Sequence, residues 1–174
     1  MSNLDTVAYL KAGRVFTASN VSAKIITVVA TSTTGLVLNN PIGSNKLLVL
    51  MSASFAMTTD LGSLAAISIA MNAVQGVATT GTVGTAISKS ASGGSAASVA
   101  QAWDTATFAV APVSICWPFG KQWITGGNSS SEYTYYAKID GDIGVLPGAA
   151  ICFAGIGGTL PTGMGAFNYI EVDI

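Results

Sequence analysis

The sequence contains no histidine. That absence removes Ser-His-Asp and Cys-His catalysis, together with the common Cys/His zinc centres. Charge is nearly as scarce: 9% of the 174 residues are charged and the net charge is −1. The basic residues (Lys11, Arg14, Lys24, Lys46, Lys89, Lys121, Lys138) stand singly, whereas phosphate backbones are bound by clustered Lys and Arg. No nucleic-acid partner is expected. Cys116 in VSICWPF and Cys152 in AAICFAG are the only cysteines, and no CxxC occurs. Both read as small buried hydrophobes, and a disulfide between them stays open at this level.

A long uninterrupted apolar run is missing too. Half of the residues are hydrophobic and the mean hydropathy is +0.57, so a membrane location has to be tested. A spanning helix needs about 20 consecutive apolar residues. The best stretch, LLVLMSASFAM at 47–57, is shorter and carries Ser52 and Ser54. The aromatics lack the girdle regularity of a membrane barrel. MSNLDTVAYLKAG shows neither a basic head with an apolar run nor a cleavage pattern. The expectation is a soluble protein made inside a cell, with no membrane partner. Its apolar surplus points to burial against other subunits.

What is present reads as a β protein. Glycine numbers 20, and Thr, Ser, Val and Ile fill the segments between glycines, as short strands joined by tight turns require. Strands are predicted at 14–18, 24–30, 36–39, 47–57, 65–73, 106–117, 132–139, 149–154 and 167–174. Turns are predicted at NNPIGSN, ITGGNSSS, DGD, LPG and GIGGTLPTG. The segment at 61–76 is compatible with a helix through Leu64, Ile67, Met71 and Val74, or with a strand through Ile67, Ile69 and Met71. The surrounding β pattern favours the strand. Residues 1–13 read as an N-terminal arm and 14–174 as one β-sandwich domain. A Gly/Ser/Thr-rich stretch at about 76–98 reads as a long excursion from that domain.

Material for chemistry is thin. There is no GxSxG elbow, and Gly120-Lys121 lacks the upstream glycine of a phosphate-cradling loop. Asp140 and Asp142 in KIDGDIG form one carboxylate pair, whose simpler reading is a β-turn with Asp beside glycine. Glu171 and Asp173 form another, on one face of the last strand. No catalytic residue, cofactor or metal is assigned, and no enzyme is predicted. Trp117 and Tyr135 read as core, while Trp123 and Tyr133 are left between core and a ligand-binding platform.

GRVFTASN, TGLVLNNPIGSNKLLVL, LPGAAICF and the closing PTGMGAFNYIEVDI together resemble small virion proteins of tailed bacteriophages, of the capsid decoration (cement) type. The resemblance spans most of the chain outside the 76–98 excursion. It implies a jelly-roll-like antiparallel sandwich assembling as a homotrimer, bound to the major capsid protein at capsomer junctions on the virion surface. It brings no catalytic residues. Under this reading the subunit or capsid contacts are expected at Leu4 and Tyr9 in the arm, and at Phe167, Tyr169, Glu171 and Asp173 on one face of the last strand. Ile170, Val172 and Ile174 on the other face are expected to close the core. The alternatives are a trimeric receptor-binding or fibre-tip module recognising a host glycan through Trp123 and Tyr133, and a hydrolase using Asp140 and Asp142.

Overall fold

The computed structural model describes residues 3–59, 66–72, 80–82, 85–88, 97–112, 114–120, 134–157 and 161–174. Helix α1 (Asn3–Lys11) comes first. Among the described residues twelve strands follow: β1 (Val15–Asn20), β2 (Lys24–Ile25), β3 (Ser32–Asn39), β4 (Lys46–Met57), β5 (Ala66–Met71), β6 (Thr80–Thr82), β7 (Thr85–Ser88), β8 (Gln101–Thr107), β9 (Ser114–Gly120), β10 (Thr134–Val145), β11 (Ala150–Ile156) and β12 (Thr162–Asp173). They form two antiparallel sheets. The first runs β10-β4-β12-β1-β7, with β2 added to β12, and the second runs β6-β8-β3-β11-β5-β9. The two pack face to face as a β-sandwich, the expected class.

Alternation selects which residues meet between the sheets. Leu36 and Leu38 of β3, Ile67 and Ile69 of β5, and Ile151 and Phe153 of β11 face Phe16, Leu48, Leu50, Phe55, Phe167 and Tyr169 of the other sheet in one cluster. Phe153 is its hub. The ring lies parallel to Phe167 with centroids 4.5 Å apart, 5.3 Å from Phe55 and 6.0 Å from Phe119. Two glycines of β12 make the room. A Cβ on Gly165 would fall 2.4 Å from the Phe153 ring, and one on Gly163 would fall 2.6 Å from Phe55. Glycine inside a strand often marks such a close approach.

The last strand therefore faces the opposite way from the expectation. Gly163, Gly165, Phe167, Tyr169 and Glu171 share the inner face, and Phe167 and Tyr169 are fully buried within this chain. Ile174 of the aliphatic set is 64% exposed, while Ile170 is buried outside the main core cluster. The reason is steric. The glycine pair fixes the parity of the strand, and the aromatic rings continue the glycine face. The strand also begins five residues earlier than expected, because Gly163 and Gly165 are strand residues rather than turn residues.

Other boundaries moved. The run 106–117 is two strands, β8 and β9, parted around Pro112. Within 24–30 only Lys24–Ile25 forms a strand. The excursion supplies β6 to one sheet and β7 to the other. The DGD segment is not a hairpin end: it lies inside β10, where the register against β4 shifts between Lys138 and Ile143. Asp140 takes φ 53° and Gly141 φ 94° in this bulge. β12 breaks its register with β4 at the same level, between Asn168 and Tyr169, so both neighbours of β4 adjust at Met51. The bulge of β10 sits on an edge strand, where irregularity discourages pairing with another chain.

Cys152 is buried in a second cluster, with Val37, Ala70 and Trp103, on the other face of its sheet. Cys116 packs against the main cluster. The two cysteines are not joined in a disulfide, and burial pushes Cys152 up to about 12, so it stays protonated. Trp117 and Tyr135 lie against the core as expected.

The ring-on-glycine packing yields a test. Phe153→Ala should cost about 3–5 kcal/mol through the lost ring and its cavity, and Gly165→Ala about 1–3 kcal/mol through overpacking. Urea unfolding of both single variants and the double variant checks the mechanism. In the double variant the two costs should fall short of additive, because removing the ring removes the clash.

Candidate interaction surface

Four chain segments meet at one end of the sandwich, and buried polar groups hold them together. The turn after β3 is organised by Asn40, which is fully buried. Its Nδ2 donates to the carbonyls of Lys46 and Val145, both at 2.8 Å, and its Oδ1 accepts from Ser44 Oγ at 2.6 Å. Its backbone N–H donates to the Ala149 carbonyl, and its carbonyl accepts from Gly148 N–H. One asparagine thus joins the NNPIGSN turn to the LPG corner between β10 and β11. Every hydrogen-bonding group of that buried side chain finds a partner, as burial demands.

The C-terminus is tied to the same turn. Ile174 N–H donates to the Asn45 carbonyl, and Glu171 N–H donates to the Arg14 carbonyl. Asp173 stands opposite Lys46 in the β4–β12 register, and its two carboxylate oxygens receive Lys46 Nζ and Arg14 Nη1. These bonds hold the carboxyl below its usual range, the hydrogen bond from Lys46 first and that from Arg14 second. Arg14 in turn closes the helix, since its N–H donates to the Tyr9 carbonyl at 3.0 Å.

The surface over this framework is apolar for one so rich in ion pairs. Val7 of α1, Ile42, Leu146 and Ile174 are each 40% exposed or more. Ala8, Tyr9, Ala12 and Arg14 line an open, mainly apolar hollow beside the helix. Leu4 lies in the first turn of α1, and its side chain is outside the described residues. Of the expected contact residues, the structure brings α1, with Leu4 and Tyr9, and Asp173 to this end. It withdraws Phe167, Tyr169 and Glu171 into the interior. Trp123 and Tyr133 are outside the described residues. Asp140 and Asp142 are exposed on the β10 bulge, and Asp140 pairs with Lys138 at 2.9 Å. Arg14, Lys46 and Asn40 were not singled out from the sequence. Their only signals are isolated cations and an Asn-Pro turn, and only the strand register shows what they face.

Glu171 keeps its interior place through local donors. Ser98 Oγ donates to Glu171 Oε1 at 2.6 Å, and Val99 N–H donates to the same oxygen at 2.8 Å. Ser98 has a single proton, which it gives to the carboxylate, so Tyr169 O–H must be the donor in its 2.7 Å contact with Ser98 Oγ. Ala100 N–H also donates to Ser98 Oγ. Burial holds the Tyr169 phenol above its ordinary value, consistent with that donor role. The network fastens residues 98–100, at the entrance to β8, onto β12.

Comparison with protein-family models, curated proteins and solved structures returned no match.

Two measurements follow from these contacts. Glu171→Ala leaves the Ser98 hydroxyl and Val99 N–H without their acceptor, and should cost about 1–3 kcal/mol in chemical denaturation. For Asp173 the folded-state value is depressed, so its stabilising contribution is present above the unfolded value of about 3.9 and is lost as pH falls through the lower folded value. Asp173→Asn should therefore remove a small part of the acid sensitivity below about pH 4. The effect is small because the pair is solvent-exposed, and unfolding curves of both proteins from pH 2 to 6 check it.

Proposed function

We propose that this protein is a structural subunit of a tailed-bacteriophage virion. In this reading a jelly-roll-like sandwich assembles as a homotrimer, binds the major capsid protein at capsomer junctions, and stiffens the outside of the shell. The observation that carries the proposal is the helix end of the sandwich. There α1 leads into the first sheet, Val7, Ile42, Leu146 and Ile174 are exposed, and the Arg14–Asp173–Lys46 ion pairs join the base of α1 to β4 and β12.

Such a surface suits protein–protein contact. Apolar side chains supply burial, and aromatic and arginine residues such as Tyr9 and Arg14 are enriched at contact centres. Mutual burial by subunits around a three-fold axis also gives a closed assembly instead of open-ended association. The motif resemblance supplies the virion setting, and the fold class agrees with it.

The test uses purified protein and capsids lacking it. Light scattering should give a trimer, and the full chain should saturate discrete capsid sites. Deleting residues 1–13 should weaken capsid binding at least tenfold, a change of about 1.4 kcal/mol. Unaltered binding by the truncated protein removes α1 from the contact, and a monomer at micromolar concentration removes the trimer.

A further inference from the structure

Between the sheets, where β1 passes β8, two buried polar side chains face each other. Asn20 is 3% exposed and Asp104 is 7% exposed. Asn20 Nδ2 donates to Asp104 Oδ1 at 2.6 Å. Lys24 Nζ lies 3.7 Å from the other carboxylate oxygen, Asp104 Oδ2. The Asn20 carbonyl is engaged as well, its Oδ1 accepting from the backbone N–H of Gly165 at 3.0 Å. Strand pairing sets up this meeting. β1 runs beside β12 as far as Ser19↔Ala166, and after a short turn Lys24 pairs with Gly163 of the same strand. Asn20 and Lys24 are thereby laid beside Gly165 and Gly163 of β12, two residues apart, and both reach Asp104 of the opposite sheet.

A carboxylate that holds an amine on one oxygen and a carboxamide on the other can move protons between them. With Asn20 and Asp104 buried and Lys24 reaching them from a half-buried position, that is the requirement for exchanging one amide for another. We propose that Lys24 and Asn20 form an intramolecular isopeptide bond, with Asp104 as the proton carrier and the Gly165 N–H stabilising the carbonyl oxygen. Asp104 takes a proton from the Lys24 ammonium, and the freed Nζ attacks Asn20 Cγ. Negative charge gathers on Asn20 Oδ1, where the Gly165 N–H already points. The Cγ–Nδ2 bond then breaks. The two protons shed by Lys24 nitrogen pass through Asp104 to the departing nitrogen, which leaves as ammonium. Atoms and charge balance without an oxidant or co-reactant, and the protein loses one ammonia and one positive charge. Attack requires the Lys24 amine to swing from Asp104 to within about 3–3.5 Å of Asn20 Cγ, and the shared carboxylate gathers both groups at one point.

The loop closed by the new bond is very short, so its direct effect on unfolding entropy is small. Its consequence is local: the β1–β2 turn is closed into one conformation. Mass and cleavage, more than melting temperature, are therefore the informative readouts.

Intact-mass measurement of the folded, aged protein should show a species lighter by one ammonia, and trypsin should fail to cut after Lys24 in that species. Fragmentation of the tryptic peptide should place the link between Lys24 and Asn20. Lys24→Arg keeps the charge beside Asp104 but lacks the nucleophilic amine, and should have full mass. Loss of ammonia persisting in Lys24→Arg would mean that Asn20 closes on its own backbone, which overturns the proposal. So would full mass and normal cleavage at Lys24 in the wild-type chain after prolonged incubation.

Discussion

The interior depends on one steric condition: β12 must present no side chain where the Phe153 and Phe55 rings cross it. Gly163 and Gly165 meet that condition, and Phe153 then lies parallel to Phe167, one inward position further along. β12 lies between β4 and β1 in its sheet, so the contact links a central strand of one layer to β11 of the other. A fully buried aromatic side chain contributes about 1.5–3 kcal/mol from area alone, and parallel or tilted ring pairs add to that. Everything further along β12 inherits its orientation from this contact. Tyr169 packs on Phe16, and Glu171 is carried inward to the one place where Ser98 and Val99 supply donors.

The fold class was legible because the local signals agreed. Apolar β-branched runs at 47–57 and 149–154 fell within a residue or two of β4 and β11. The ambiguous 61–76 segment resolved for its described part as strand, with Ile67 and Ile69 inward. Boundaries failed where composition is uniform. ATFAVAPVSICW reads as one apolar run, and Pro112 was the available sign that it is two. The orientation of β12 failed for a deeper reason. Alternation states which residues share a face, but with Phe and Tyr on one side and Ile and Val on the other, hydrophobicity does not decide which face is inside. The glycine pair decides it, and the rings that need that space come from β4 and β11, over 100 and about 10 residues away in the chain.

Several of the few ionic groups among the described residues have a definite place. Asp104 and Glu171 are buried, and each binds donors from another strand or loop. Asp173 collects two cations that arrive from β4 and from the residue preceding β1. Asp140 pairs with Lys138 on the bulged edge. Uncompensated carboxylates in an apolar interior are costly, so these positions are tolerable only with their donors in place. None of this is readable from spacing: Lys46 and Asp173 are 127 residues apart and meet only through strand register.

The two ends of the sandwich consequently differ in kind. At the far end Val21, Ile25, Val28, Ile156 and Met164 are exposed beside the Lys24–Asp104–Asn20 group. There the chain is held by short β2 pairing, a parallel bridge between Val28 and Gly155, and backbone bonds from Ile26 to Pro161 and from Gly155 to Thr27. At the helix end, Asn40 and the Asp173 ion pairs bind four segments with hydrogen bonds that are internal to the chain. A surface that must dock without rearranging loses less ordering entropy when its own framework is already fixed. The helix end has that preorganisation. The helix end therefore suits the docking proposed above, and the far end holds the residues of the proposed covalent tie.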